Sequence, residues 1–384
     1  MNKTLLLALM IAGFVTTGLS CRSQRTPENV GSVNIFLRVV CQLPQVLVES
    51  SGVALEGNNR IWSHEDSGNP NELYCIDSTG TVIRTLEIAN AINTDWEDMA
   101  TDNEETWYVA DAGNNNNNRT DLTIFRIPAP ETVNGSEVTA GIIRFSLSDQ
   151  TAFPPPATQR NFDIEAMIWV DDSLFLFTKD RSNPFTGITK MYALPDVPGE
   201  YVARLAGSCF IGADEESGRV TSADINHHTG ELVLLTHKGI VSFTDYPNHR
   251  FFEGTRTDYA FTALPGQNEG IAFVSTGKLY MTEEGNGNNP GNLYEIRLPQ
   301  SQLSSGGQHT GNLVQVFPNP FSDLIKVRQP SSSLIELIDN SGRILHSAIS
   351  GGETSINTDK LQPGLYFLRS ESTEGVAIHK VIKN

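Results

Sequence analysis

Carboxylates recur at matching places along the middle of this chain, and their spacing suggests a site for a hard cation. Glu97-Asp98-Met99-Ala100, Glu165-Ala166-Met167-Ile168 and Glu269-Gly270-Ile271-Ala272 begin three related segments, and Ser51-Gly52-Val53-Ala54 and Ala223-Asp224-Ile225-Asn226 begin two more. Fourteen residues after these starts lie Glu65, Asp111, Lys179, His237 and Glu283, followed by Asp66, Ala112, Asp180, Lys238 and Glu284. If the five segments converge, Glu97, Glu165, Glu269, Glu65, Asp111, Glu283 and Asp224 share one rim. Like charges held that close raise one another's pKa unless a cation compensates them. An all-oxygen donor set favours Ca²⁺, or Mg²⁺, over zinc, and no paired His or Cys spacing argues otherwise. Lys179 and His237 are the candidate catalytic groups, one for an anion and one for a proton. Lys238 and the amides of Asn69, Asn114 and Asn183, in the loops that follow, complete a substrate-binding set.

Strands must bring these residues together. Each start is followed by a turn and an apolar strand: Arg60 to Ser63, Trp107 to Ala110, Leu174 to Thr178, Leu232 to Thr236 and Leu279 to Thr282. Third strands are legible in all five segments and fourth strands in three. By subtraction the starts are 46, 68, 58 and 46 residues apart, the period of propeller blades, none of which can bury both faces alone. The expectation is an all-β chain: a five-bladed β-propeller over residues 31–299, with a sixth blade open only if loop insertions conceal it. Val33 to Val40 is expected to close the ring as the outer strand of the last blade. Trp62, Trp96, Trp107 and Trp169 are expected between blades, and His227-His228 in a turn.

Composition narrows the function classes. A formal charge of −18, from 27 basic and 45 acidic residues, speaks against nucleic acid as a partner, because phosphate backbones need clustered Lys and Arg. Residues 1–21 carry Lys3, an apolar run from Leu5 to Val15, and Ser20-Cys21. That is a signal peptide, too short for a stable transmembrane span. Gly18-Leu19-Ser20-Cys21 reads both as a lipoprotein box anchoring Cys21 and as an ordinary signal-peptidase site. Of Cys41, Cys75 and Cys209, at most two can form a disulfide with each other.

Residues 300–315 are rich in Ser, Gly and Gln and read as a linker. Beyond it, residues 316–384 alternate β-prone runs with turns and form a small C-terminal β-sandwich. Phe317-Pro318-Asn319-Pro320-Phe321, Asp339-Asn340-Ser341-Gly342-Arg343, Leu361-Gln362-Pro363-Gly364-Leu365-Tyr366 and Lys380-Val381-Ile382-Lys383 follow in order. This tail resembles a type IX secretion sorting domain. The resemblance implies recognition by the outer-membrane translocon of a Bacteroidetes-type cell and delivery to the surface or the medium.

No nucleophile elbow, phosphate loop or metalloprotease helix is present. The body resembles the calcium-dependent propellers of the phytase-like, gluconolactonase and strictosidine-synthase-like group. That resemblance implies acidic and Asn metal ligands at the mouth, which Glu97, Glu165 and Glu269 match in kind without a one-to-one alignment. Two functions follow: a metal-dependent hydrolase of a phosphate ester or lactone, or a non-enzymatic, calcium-stabilised surface module that binds a glycan or protein.

Overall fold

Every inner strand of the body begins near a repeat start, and the five strands surround one axis. A computed structural model describes residues 32–57, 59–299, 314–372 and 375–384; the signal peptide, Cys21 and the linker through residue 313 lie outside the described residues. From the axis outwards, the first blade is Ser50–Glu56, Arg60–Glu65, Glu72–Ile76 and Val82–Ile88, with Glu137–Val138 added in parallel at its edge. The second is Trp96–Thr101, Thr106–Asp111, Thr123–Pro128 and Gly141–Leu147. Its outer strand pairs in parallel with that of the third blade, Asp163–Val170, Ser173–Lys179, Ile188–Pro195 and Gly199–Phe210. The fourth is Ser222–Asn226, Glu231–Thr236, Gly239–Thr244 and Thr255–Phe261; the fifth runs through Gln267–Ser275, Lys278–Glu284 and Asn292–Arg297.

The ring closes through the beginning of the described chain, but not with one strand as expected. Val33–Ile35 pairs with the outer strand of the fourth blade, and Leu37–Gln42 becomes the outer strand of the fifth. The segment switches blades at Phe36, so it ties the last gap of the ring from both sides. Five apolar clusters fill the five gaps between successive blades. Trp62, Trp96 and Trp107 lie in the first gap with Phe125, all buried. Each such ring removes about 150–250 Å² from water, roughly 4–6 kcal/mol of hydrophobic stabilisation.

Asp98 ties the centre. Fully buried, it accepts hydrogen bonds from Met99 N (3.0 Å), Met167 N (2.9 Å), Ala223 N (3.2 Å) and the Ser222 hydroxyl (3.1 Å), joining the second, third and fourth inner strands. The Ser222 hydroxyl in turn accepts Ile271 N at 3.1 Å. Gly52 lets the first strand press against this centre, since a Cβ there would stand 2.8 Å from Asp98 Cα and Met99 N.

These contacts correct the repeat register. Ser222 serves Ile271 as Asp98 serves Met167, so Thr221, not Ala223, is the counterpart of Glu97. The other four inner strands carry a register shift at the repeat start, between Ser50 and Val53, Trp96 and Asp98, Ile164 and Ala166, and Asn268 and Gly270. The fourth pairs without one, and this difference misled the spacing.

The tail is a sheet folded upon itself. Leu324–Asp339 and Ile344–Asn357 form a long hairpin with a register shift between Gln329 and Ser333, and Gly364–Ser372 and Gly375–Lys383 complete it. Ile325 and Val327 from one half meet Ile335, Leu337 and Leu368 from the other in a common core. The tail rests on the closure segment, with the Phe36 and Phe367 rings 4.6 Å apart and an Arg297–Glu371 ion pair of 2.9 Å.

Candidate functional site

At the end of the channel where the inner strands begin, the first, second and third blades contribute carboxylates to two close groups. Glu97 and Glu165 occupy the shifted positions of their strands, where a bulge re-aims a side chain out of the alternating pattern. Carboxylate oxygens of Asp66, Asp95 and Glu97 lie within 4.8 Å of one another, and so do those of Glu97, Asp163 and Glu165. Glu97 belongs to both groups.

The two groups differ in compensation. Glu165 receives Lys179 Nζ at 2.9 Å and Arg181 Nη2 at 2.8 Å, while Asp163 receives Arg181 Nε at 2.5 Å and the Asn114 N–H. Burial alone would raise the Glu165 carboxyl, but Lys179 and Arg181 outweigh it and hold its pKa below the usual value. No Lys or Arg among the described residues forms an ion pair with Asp66, Asp95 or Glu97. Burial and then Glu165 push Glu97 well up, and burial and then Asp66 push Asp95 up to about 7. Gly113 makes room for the group: a Cβ there would stand 2.0 Å from Glu97 Oε1 and 2.5 Å from the Asp95 carboxyl. Uncompensated oxygens beside a glycine-lined space suit a hard cation.

The other expected ligands divide by local chemistry. Glu269 is buried at the mouth and raised to about 8, first by burial. Asp111 pairs with Arg119 at 3.1 Å and accepts Asp95 N, so it braces the loop. Glu283 is occupied by Gly266 N, Asn292 Nδ2 and the Tyr294 hydroxyl. Glu65 is half-buried and receives Glu49 N at 3.5 Å, outside both groups. Asp224 lies at the opposite end of the channel, two residues beyond the centre formed by Ser222, and is removed from the rim.

Of the expected catalytic groups, Lys179 is buried and committed to Glu165. His237 is half-buried; burial first, then Lys179, lowers its pKa. Lys238 reaches outward to Asp214 at 2.8 Å. Asn69 donates to Glu49, Asn114 is a buried loop clasp that accepts Asn118 N and Arg119 N, and Asn183 is exposed. Sequence reasoning missed Asp95, Asp163 and Arg181 and left Asp66 out of the ligand set. The signal for two of them was present: Asp95-Trp96-Glu97 and Asp163-Ile164-Glu165 repeat a pair of acids two apart at two repeat starts.

The raised carboxyls make a pH test. Asp95 at about 7 and Glu269 at about 8 lie above their unfolded values of about 4. The metal-free folded state therefore holds more protons than the unfolded state between these limits. The stability these groups contribute is complete below about pH 4 and is lost as the pH rises through 7 to 8. Under chelation, Asp95→Asn is expected to match the parent chain in melting temperature below about pH 4 and to exceed it at pH 8. A difference that shrinks with rising pH would contradict the assignment.

Residues 315–384 match the family described as the secretion system C-terminal sorting domain. No curated protein sequence matches the chain. Among solved structures, the chain is similar to the PQQ-bound aldose sugar dehydrogenase of Streptomyces coelicolor, at 11% identity and a TM-score of 0.42, covering 69% of this chain and 98% of that one. It is also similar to a protein provisionally assigned as a gluconolactonase (13%, TM-score 0.37, 65% and 73% covered). A third is one from Bacteroides fragilis provisionally assigned as a 6-phosphogluconolactonase (10%, 0.34, 86% and 92%). Among the described residues no helix is long and apolar enough to cross a membrane. The chain is a five-bladed β-propeller whose residues 315–384 are a secretion system C-terminal sorting domain, marking it for secretion to the cell surface.

Proposed function

We propose that the acidic mouth holds a divalent cation, Ca²⁺ before Mg²⁺, and that the loaded propeller is a secreted hydrolase of a phosphate ester or lactone. The observation that carries the reading is the trio Asp66, Asp95 and Glu97, with oxygens within 4.8 Å of one another and no ion-pair partner among the described residues. These three would hold the ion, and the half-buried positions of Asp66 and Asp95 leave it open to the medium. When bound, such an ion polarises a substrate oxygen and makes its water a stronger nucleophile. His237, in the field of Lys179 and Glu165, would carry the proton: the Asn268 N–H points at Nδ1 from 3.4 Å, so the neutral ring keeps its proton on Nε2. Arg181, about one-fifth exposed, orients an anionic substrate from the third blade.

One observation favours a second reading, a calcium-stabilised module without turnover: Lys179 and Arg181 are already engaged by Glu165 and Asp163. A single experiment separates the two. The full chain is given lactones, carboxylic esters and phosphate esters with calcium or with chelator, and its melting temperature is measured in the same samples. Calcium at about a hundred times its Kd should stabilise the fold by about 2.7 kcal/mol. Glu97→Gln should abolish both that gain and chelator-sensitive turnover. Stabilisation without turnover supports the module; no calcium effect on either sinks the cation site.

A further inference from the structure

The far end of the channel holds a second recess of about 650 Å³, lined by the ends of four inner strands and by none of the acids of the first mouth. Between the two ends lie Asp98 and Ser222, both fully buried. The volume is that of a small-molecule site.

Its lining mixes apolar Phe273 and Val274 with polar Asn103, Asn226 and Ser275, and Asp224 supplies a carboxylate. Asp224 Oδ2 accepts the Phe273 N–H at 2.6 Å, and a further backbone bond comes from Ile225; neither brings a positive charge. Among the described residues the lining contains no Lys or Arg. At the rim, His227 stands beside the Trp169 ring at 5.8 Å and within the field of Asp102 and Asp171. A largely buried carboxylate with only neutral donors, in a recess of a chain carrying −18, leaves a charge to be matched from outside.

The geometry points to this recess as a second binding site, specific for a small organic cation: an amine whose ammonium pairs with Asp224 while its apolar body lies against Phe273 and Val274. Burial pushes the Asp224 carboxyl up to about 7, so binding is best measured at pH 8, where the acid is mostly ionised.

The test is calorimetric titration of the full chain with benzylamine and with its neutral isostere benzyl alcohol, at pH 8 with excess chelator. Benzylamine is expected to bind at least about tenfold more tightly than the alcohol, the factor a charge-assisted hydrogen bond contributes. Asp224→Asn should remove that preference, while Glu97→Gln, at the other mouth, should leave it within twofold. Equal binding of amine and alcohol to the unsubstituted chain overturns the proposal without any variant. So does a preference that survives Asp224→Asn and disappears in Glu97→Gln, which would place the amine among the acids of the first mouth. The melting curve of Asp224→Asn confirms that the variant is folded.

Discussion

A chain ending before residue 315 should accumulate in the periplasm instead of reaching the surface or the medium. The tail has its own core, Phe321, Ile325, Val327, Ile335, Leu337 and Leu368, and the propeller closes without it through Val33–Ile35 and Leu37–Gln42. Truncation therefore removes the sorting signal while sparing all five blades. It costs the Phe36–Phe367 contact and the Arg297–Glu371 pair, of which the half-exposed ion pair contributes at most about 1 kcal/mol. Fractionation with an antibody to the propeller is the measurement, and the far-ultraviolet spectrum of the truncated protein establishes its fold. The expected result is near-complete loss of release with a β spectrum retained. Ordinary release of the truncated chain would refute the role given to the tail.

The largest loss of stability should come from Asp98→Ala. The substitution leaves the backbone N–H groups of Met99, Met167 and Ala223 without their shared acceptor, together with the Ser222 hydroxyl, at a centre closed to water. An unsatisfied buried donor costs about 1–3 kcal/mol, and partial relaxation brings the expected total to about 3–5 kcal/mol. Asp98→Asn should fall near Asp98→Ala, because its amide would turn a donor towards donors. Ser222→Ala also loses the acceptor of Ile271 N, and should cost about 1–2 kcal/mol. Denaturant unfolding reads all three. An Asp98→Ala chain within about 1 kcal/mol of the parent would show that the centre does not hold the ring together.

Local chemistry made much of this protein legible from its residues. Asp339-Asn340-Ser341-Gly342-Arg343 turns a hairpin because Asp339 accepts Ser341 N and Arg343 N and Gly342 takes a φ of +84°. Val82–Ile88 and its counterparts alternate and turn at blade spacing, so repeat, ring and tail could be inferred without coordinates.

Which acids would meet was decided only by the tertiary structure. Glu65, Asp111, Glu283 and Asp224 are acids that the repeat spacing puts on one rim with Glu97, yet none joins either acid group: Asp111 and Glu283 are spent on neighbouring donors and Asp224 faces the opposite opening. The separating features are nonlocal: a one-residue bulge in four inner strands, its absence in the fourth blade, and Lys179 and Arg181 reaching Glu165 but not Glu97. Residue order determines periodicity and turns, which act over a few positions. Charge compensation depends on distances across the channel, and those exist only once the blades have closed.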